Sequence, residues 1–322
     1  MTKRPHDALF KSAFEAPAVV AALLRALLPA AIRSVVAWNT LEGKGGSFVD
    51  AKLSDQHSDL LFCAQLRIGK PKLVYFLLEH QSTRDPKMPL RMLSYQNRIW
   101  DRFVKDHPRA RLPPVIAVLV SHVPGGWTAA RAFEELFDPA VMARSDLAAL
   151  VPRFSMIVED LSRLPDDDLV ARPLGTFPKL ALWLLRDARA PARLLDSFEF
   201  WIPSMLEIGR TQSGLDRLKV LITYMFQVID PVNIDRLRAK IRELGSHSEK
   251  VAMTIAEYLH KQGVKEGVKK GRTDTLRSLL IFKFQTLSAT YEARLRAATP
   301  KEIDRYLQRL LTARSLAAVF KD

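Results

Sequence analysis

Two short apolar runs separated by a turn constrain the fold of this chain more than any other feature. Residues 59–66 and 73–79 are rich in apolar side chains, and the connection between them carries Gly69 and Pro71. Runs of this length bounded by turn residues favour β-strands, and a short connection favours a hairpin. We therefore predict an antiparallel strand pair. Alternating apolar residues predict one more strand at 47–53, after a glycine-rich stretch.

Helical spacing of apolar residues surrounds these strands. Residues 7–28 follow it with an interruption near Pro17, which predicts two short helices or one kinked helix. Residues 88–107 follow it again. The candidates for inward-facing positions in this second segment are Leu90, Leu93, Ile99 and Phe103.

A continuous apolar run at 115–120 suits a central buried strand, and 154–158 is a further strand candidate. Beyond residue 166 the spacing is helical, as at 180–185, 215–229 and 304–319. The pattern predicts an α/β core followed by a mostly α-helical C-terminal region. We divide the chain into a core at 1–165, a helical region at 166–260 and a basic helical tail at 261–322.

The formal net charge is +14, and most of the excess lies in two segments. Residues 84–111 hold eight basic and three acidic side chains, and residues 261–322 hold fourteen and six. Clustered positive charge attracts polyanions, so DNA is the predicted partner. A basic face that only keeps a protein in solution is the alternative.

Two features of the sequence bear on the cellular location of the protein and on membrane association. The single cysteine, Cys63, excludes an intramolecular disulfide and suits a reducing cytoplasm, where we expect the protein. The apolar stretch at 16–32 contains Arg25 and two prolines and is shorter than the roughly 18 residues a spanning helix needs, so we expect no membrane partner. The lysines between Gly263, Gly267 and Gly271 likewise exclude a membrane contact.

Three polar residues stand at the ends of the predicted hairpin strands. Asp59 opens one strand, and Glu79 ends the next, so both lie at the same end of the pair. Gln81 follows on the same strand face as Glu79, since side chains alternate. Two carboxylates can hold a divalent metal against a phosphate oxygen and a water. The alternative is that they are solvated turn residues.

The chain resembles the recombination-promoting nucleases, a family long described as transposases and grouped with the PD-(D/E)xK nucleases. The matching pieces appear in the family's order at 6–11 (HDALFK), 47–50 (SFVD), 58–61 (SDLL), 78–82 (LEHQS) and 93–95 (LSY). The resemblance implies a restriction-endonuclease-like core, a mixed sheet flanked by helices. It also implies Mg²⁺-dependent DNA cleavage, with Mn²⁺ as a substitute, linked to recombination or mobile DNA.

Carried over by position, Asp59 and Glu79 would be the metal ligands, and Gln81 would take the place of the superfamily's lysine. His6, Asp7 and Tyr95 are accessory candidates, each with a structural alternative. We interpret His57, His80 and Cys63 as scaffold, because their spacing matches no metal site. A DNA-binding or assembly protein with an inactive nuclease fold is the competing function, and homo-oligomerisation stays open.

Overall fold

The computed structural model describes residues 5–44, 60–69, 72–187, 189–313 and 315–321. Its centre is a five-stranded sheet in the order β1-β2-β3-β4-β5. Strands β1, β2 and β3 pair antiparallel, whereas β3, β4 and β5 pair parallel. The strands are β1 Val36–Lys44, β2 Leu60–Leu66, β3 Lys72–Gln81, β4 Val115–Ser121 and β5 Ile157–Asp160.

The predicted hairpin is confirmed. Strand β2 pairs with β3 along its whole described length, from Leu66 opposite Lys72 to Leu60 opposite Leu78. Gly69 in the connection has φ +62°, a conformation that glycine adopts without the steric cost of a side chain. The pairing therefore brings the first described residue of β2 beside the residue that precedes Glu79.

Helices cover both faces of the sheet. Before it come α1 Pro5–Phe14, α2 Pro17–Leu27 and α3 Ala30–Val35, and between β3 and β4 runs α4 Met88–Asp106. Helix α4 buries a stripe of apolar side chains against one face, in a cluster with Leu77 and Leu119. Phe10 of α1 stacks on the ring of His80, on the other face.

The rest of the first compact unit, which runs to Val251, is largely helical. Its core contains Trp183 and Trp201, stacked with centroids 5.4 Å apart, and α1 packs against α8 and α11. The helices are α5 Pro139–Met142, α6 Ser145–Ala148, α7 Asp166–Ala171, α8 Thr176–Asp187, α9 Pro191–Asp196, α10 Phe198–Ile208, α11 Gln212–Val228, α12 Ile234–Ser246 and the start of α13 Glu249–Phe284. Short 3-10 helices occur at Phe133–Leu136, Leu161–Arg163 and Pro231–Asn233.

The second compact unit, Ala252–Asp322, has a hydrophobic core of its own. It contains the remainder of α13 with α14 Ala289–Ala297, α15 Pro300–Thr312 and α16 Leu316–Val319. Helix α15 begins with a capping box, in which Thr299 and Glu302 satisfy each other's backbone N–H groups. The core includes Leu280, Tyr306 and Phe320.

Most sequence expectations about the fold are confirmed, with three differences. The strand expected at 47–53 lies outside the described residues, and β1 at Val36–Lys44 was missed. Leu90, expected to face inward, is 46% exposed, because Met88 and Met92 fill the inner face of the first turns, whereas Ile99 and Phe103 are buried as expected. The helix expected at 304–319 ends at Thr312. The divisions at 165 and 260 stay predictions.

Among the described helices, none combines the length and the apolar composition needed to cross a bilayer.

Candidate active site

The last three residues of β3 place polar side chains on opposite faces of the sheet. Glu79 and Gln81 point toward α4, and His80 points toward α1, as the alternation of a strand requires. Glu79 is fully buried, and Gln81 is nearly so. Gln81 also holds its place through its backbone, since its carbonyl accepts from the N–H of His122 at 3.1 Å. The two side chains are therefore fixed at the strand end.

The Glu79 carboxylate is held by two donors on one oxygen. Its Oε1 accepts from Nε2 of Gln81 at 2.7 Å and from Nη2 of Arg91 at 2.6 Å. A buried carboxylate is costly unless a positive charge and hydrogen bonds compensate it. Arg91 provides that charge from the first turns of α4. Sequence reasoning missed this residue.

The loop from β3 into α4 fixes Arg91 in turn. Nη1 of Arg91 donates to Oδ2 of Asp85 at 2.9 Å, and the other Asp85 oxygen accepts from the backbone N–H of Lys87 at 2.9 Å. Glu79 and Asp85 thus share one guanidinium. Two carboxylates and a cation meet at the end of β3, at the start of α4.

The accessory candidate Tyr95 lies on the same helix, one turn beyond Arg91. It is 3% exposed and belongs to the apolar cluster between α4 and the sheet, with Leu77 and Met92. Its neighbour Gln96 is also buried, with no hydrogen-bond partner for Nε2 among the described residues. The structure therefore places Tyr95 in the core beneath this face of the sheet.

The other accessory candidates, His6 and Asp7, lie on the opposite face in a cluster of histidines. Nδ1 of His80 lies 3.2 Å from an Asp7 oxygen, and His80 stacks on His122 with centroids 4.9 Å apart. His6 meets the His122 ring edge-on at 4.9 Å, and its Nδ1 lies 2.7 Å from the hydroxyl of Tyr224. The cluster links α1, β3, β4 and α11.

Burial keeps these rings neutral. Desolvation lowers the pKa of His6 to about 4, with the charge of Arg189 as a second cause. Desolvation also lowers the pKa of His80, and it lowers the pKa of His122 well below its ordinary value. No sequence pattern predicted that His6, His80 and His122 would lie together. The alternation of side chains along the strand indicated only that His80 lies on the opposite face from Glu79 and Gln81.

Asp59 lies outside the described residues, directly before β2 in the chain. Within the described residues, no group of three or more His, Cys, Asp or Glu side chains is arranged to hold a metal. Glu79 and Asp85 supply carboxylate oxygens, the ligand type that Mg²⁺ and Mn²⁺ prefer, whereas the Gln81 amide turns its nitrogen to Glu79. These carboxylate oxygens fit such an ion by type.

Comparison with known proteins gives consistent results. The family model described as "Putative transposase, YhgA-like" matches residues 4–206. Recombination-promoting nuclease RpnD of Escherichia coli O157:H7 is 30% identical over 267 residues, covering 80% of this chain and 95% of that protein. Recombination-promoting nuclease RpnA of Escherichia coli K12 is 27% identical over 260 residues, covering 80% and 84%.

A third relative carries a different description. Inactive recombination-promoting nuclease-like protein RpnE of Escherichia coli K12 is 26% identical over 275 residues, covering 84% of this chain and 86% of that protein. No solved structure matches the chain significantly.

Proposed function

Since this chain belongs to the YhgA-like family of recombination-linked nucleases, we propose that it is a divalent-metal-dependent DNA endonuclease of low sequence specificity. It would act in recombination or on mobile DNA. The observation that carries the proposal is the buried Glu79 carboxylate at the end of β3, fixed by Gln81 and Arg91. A buried acid held this firmly beside a second carboxylate, Asp85, is typical of a site rather than a solvated turn.

We assign the metal to Asp59 and Glu79, with Mg²⁺ as the physiological ion and Mn²⁺ as a substitute. A bound ion of this kind polarises the scissile phosphate and lowers the pKa of a bound water. Gln81 fixes the orientation of Glu79 by its 2.7 Å hydrogen bond. As an amide it neither carries charge nor takes up a proton at neutral pH.

Supercoiled plasmid is the direct test of this function. With purified protein and Mg²⁺ we expect nicked and linear products, and with EDTA we expect unchanged plasmid. Low specificity predicts a spread of cut positions when the products are sequenced. Plasmid that stays intact across a range of pH values and divalent metals would count against the proposal.

Exposed basic residues beside the site supply the expected DNA contact. Arg84 and Lys87 are exposed in the loop that joins Glu79's strand to Arg91's helix. Arg109 and Arg111 are also exposed but follow the other end of that helix. Binding through such side chains releases counterions from DNA and therefore weakens as salt is raised.

The joint replacement of Arg84 and Lys87 by alanine should weaken DNA binding and flatten its salt dependence. Each lost phosphate contact reduces the slope of log K against log salt by about 0.9. Fluorescence anisotropy of a labelled duplex in EDTA measures both quantities without cleavage. The control replaces Arg144 and Arg236, exposed arginines outside the basic segments, with alanine. A double variant with the wild-type slope would show that the contact lies elsewhere.

A DNA-binding or assembly protein with an inactive nuclease fold is the second candidate. Gln81 favours it, because the chain lacks the superfamily's lysine at that position. Metal affinity discriminates between the two functions better than DNA affinity, which both share. Calorimetry that detects no Mg²⁺ or Mn²⁺ binding, with DNA present, would favour the inactive protein.

A further inference from the structure

The end of β3 carries a buried carboxylate, Glu79, and an uncharged amide, Gln81, and neither provides a positive charge. Hydrolysis of a phosphodiester builds negative charge on the phosphate oxygens, and a fixed cation near them stabilises that charge. Gln81 lies where a cation would be useful and cannot carry one. The charge that contacts Glu79 comes from the next helix instead, through Arg91.

Arg91 is held in a fixed position. One guanidinium nitrogen binds Glu79, a second binds Asp85, and Asp85 is itself fixed by the backbone of Lys87 at the start of α4. The side chain is 22% exposed, so most of it is buried while part of it remains accessible to solvent. Its Nε is buried and has no hydrogen-bond partner among the described residues. That Nε is too buried to meet DNA, but Nη1 and Nη2 each carry a second N–H, so the guanidinium keeps donors for a further acceptor.

Resting on the proposed function, we propose that Arg91 supplies the catalytic positive charge that Gln81 lacks. Water adds to phosphorus and loses a proton to solvent, the bond from phosphorus to the leaving oxygen breaks, and that oxygen takes a proton from solvent. One new end then carries a phosphate and the other a hydroxyl. The guanidinium stabilises the negative charge that develops on the phosphate during this exchange.

The ion pair with Glu79 gives this inference a distinctive consequence. An Arg91→Met variant removes both roles of Arg91 at once, the ion-pair partner of Glu79 and the proposed catalytic cation. Metal binding by Arg91→Met separates the two roles, because losing a support for Glu79 would weaken Mn²⁺ binding, whereas losing only a catalytic cation would not. The double variant Gln81→Lys with Arg91→Met then asks whether a positive charge on the strand face of Glu79 restores cleavage.

We expect Arg91→Met to lower the rate of plasmid cleavage at saturating Mg²⁺ by about 100-fold or more, in the range seen when one transition-state donor is removed. Mn²⁺ affinity by calorimetry should stay within about threefold or become tighter, because a neighbouring cation has been removed. Adding Gln81→Lys should raise the cleavage rate at least about tenfold above that of Arg91→Met alone. Arg91→Lys should keep part of the wild-type cleavage rate. Arg144→Met, which removes an exposed arginine paired with Asp146, should cut like wild type.

Two results would overturn the inference while leaving the nuclease proposal intact. One is wild-type cleavage by Arg91→Met. The other is a loss of cleavage together with Mn²⁺ binding that Gln81→Lys does not restore, which would make Arg91 a support for Glu79 only. A wild-type protein that neither cuts nor binds Mn²⁺ overturns the proposed function, and this inference with it.

Discussion

Replacing Glu79 by glutamine should abolish plasmid cleavage while the protein stays folded. Glutamine has the same shape, and its carbonyl oxygen can still accept from Gln81 and Arg91, which now donate to Oε1 of Glu79. The variant loses the negative charge that a metal ligand must carry. Loss of metal-derived stabilisation worth several kcal/mol corresponds to a rate at least about 1000-fold lower.

Calorimetry and thermal unfolding complete this test. Mn²⁺ binding should weaken strongly in Glu79→Gln, and the melting temperature without metal should stay close to that of wild type. Glu199→Gln is the control, since it makes the same change at an exposed glutamate paired with Lys240. Asp59→Ala should lose cleavage in the same way. Either variant cutting at the wild-type rate would refute the assignment of that residue.

Local sequence patterns were sufficient to predict the part of the site that lies on β3. The alternation of side chains puts Glu79 and Gln81 on one face, and the turn at Gly69 sets the antiparallel pairing of β2 and β3. Both effects act over a few residues, so the sequence alone predicts them. Strand β1, Val36–Lys44, was missed because its apolar residues do not alternate regularly and its pairing with β2 is interrupted between Ala37 and Glu42.

Arg91 was missed for a different reason. Apolar spacing placed Leu90 and Leu93 on the inner face of α4, whereas the buried stripe runs through Met88, Met92 and Tyr95. Ile99 and Phe103, also expected to face inward, are buried, so the error is confined to the first turns of the helix. Arg91 lies beside the stripe in these turns and reaches Glu79 at the end of β3. Periodicity alone could not choose among the apolar residues there, because leucines and methionines compete for the inner face.

The histidine cluster could not be predicted, because it depends on long-range topology. His6, His80 and His122 come from three separate elements, and the parallel pairing of β3 with β4 brings two of them together. Tyr224 and Arg189 join them from the helical region. Residues that look like scaffold in the sequence thus form a buried polar centre that connects the sheet with the helices.

Acidification should destabilise the protein steeply because of this cluster. In the unfolded chain a histidine takes up a proton near pH 6.5, whereas burial lowers the pKa of His122 well below that value and that of His6 to about 4. Between these limits the unfolded state binds more protons, so stability is complete above about pH 6.5 and falls as the pH is lowered. Each histidine that stays neutral contributes a slope of about 1.4 kcal/mol per pH unit.

Chemical denaturation between pH 7 and pH 5 measures this slope, and His122→Phe tests its origin. Phenylalanine keeps an aromatic ring beside His80 but cannot be protonated. Near pH 5, where the unfolded histidine is almost fully protonated, the slope should fall by about 1.4 kcal/mol per pH unit. His247→Gln, at an exposed histidine, should leave it unchanged. An unaltered slope in His122→Phe would mean that His122 is not neutral in the folded protein, because only a ring that stays unprotonated there contributes to the difference in bound protons.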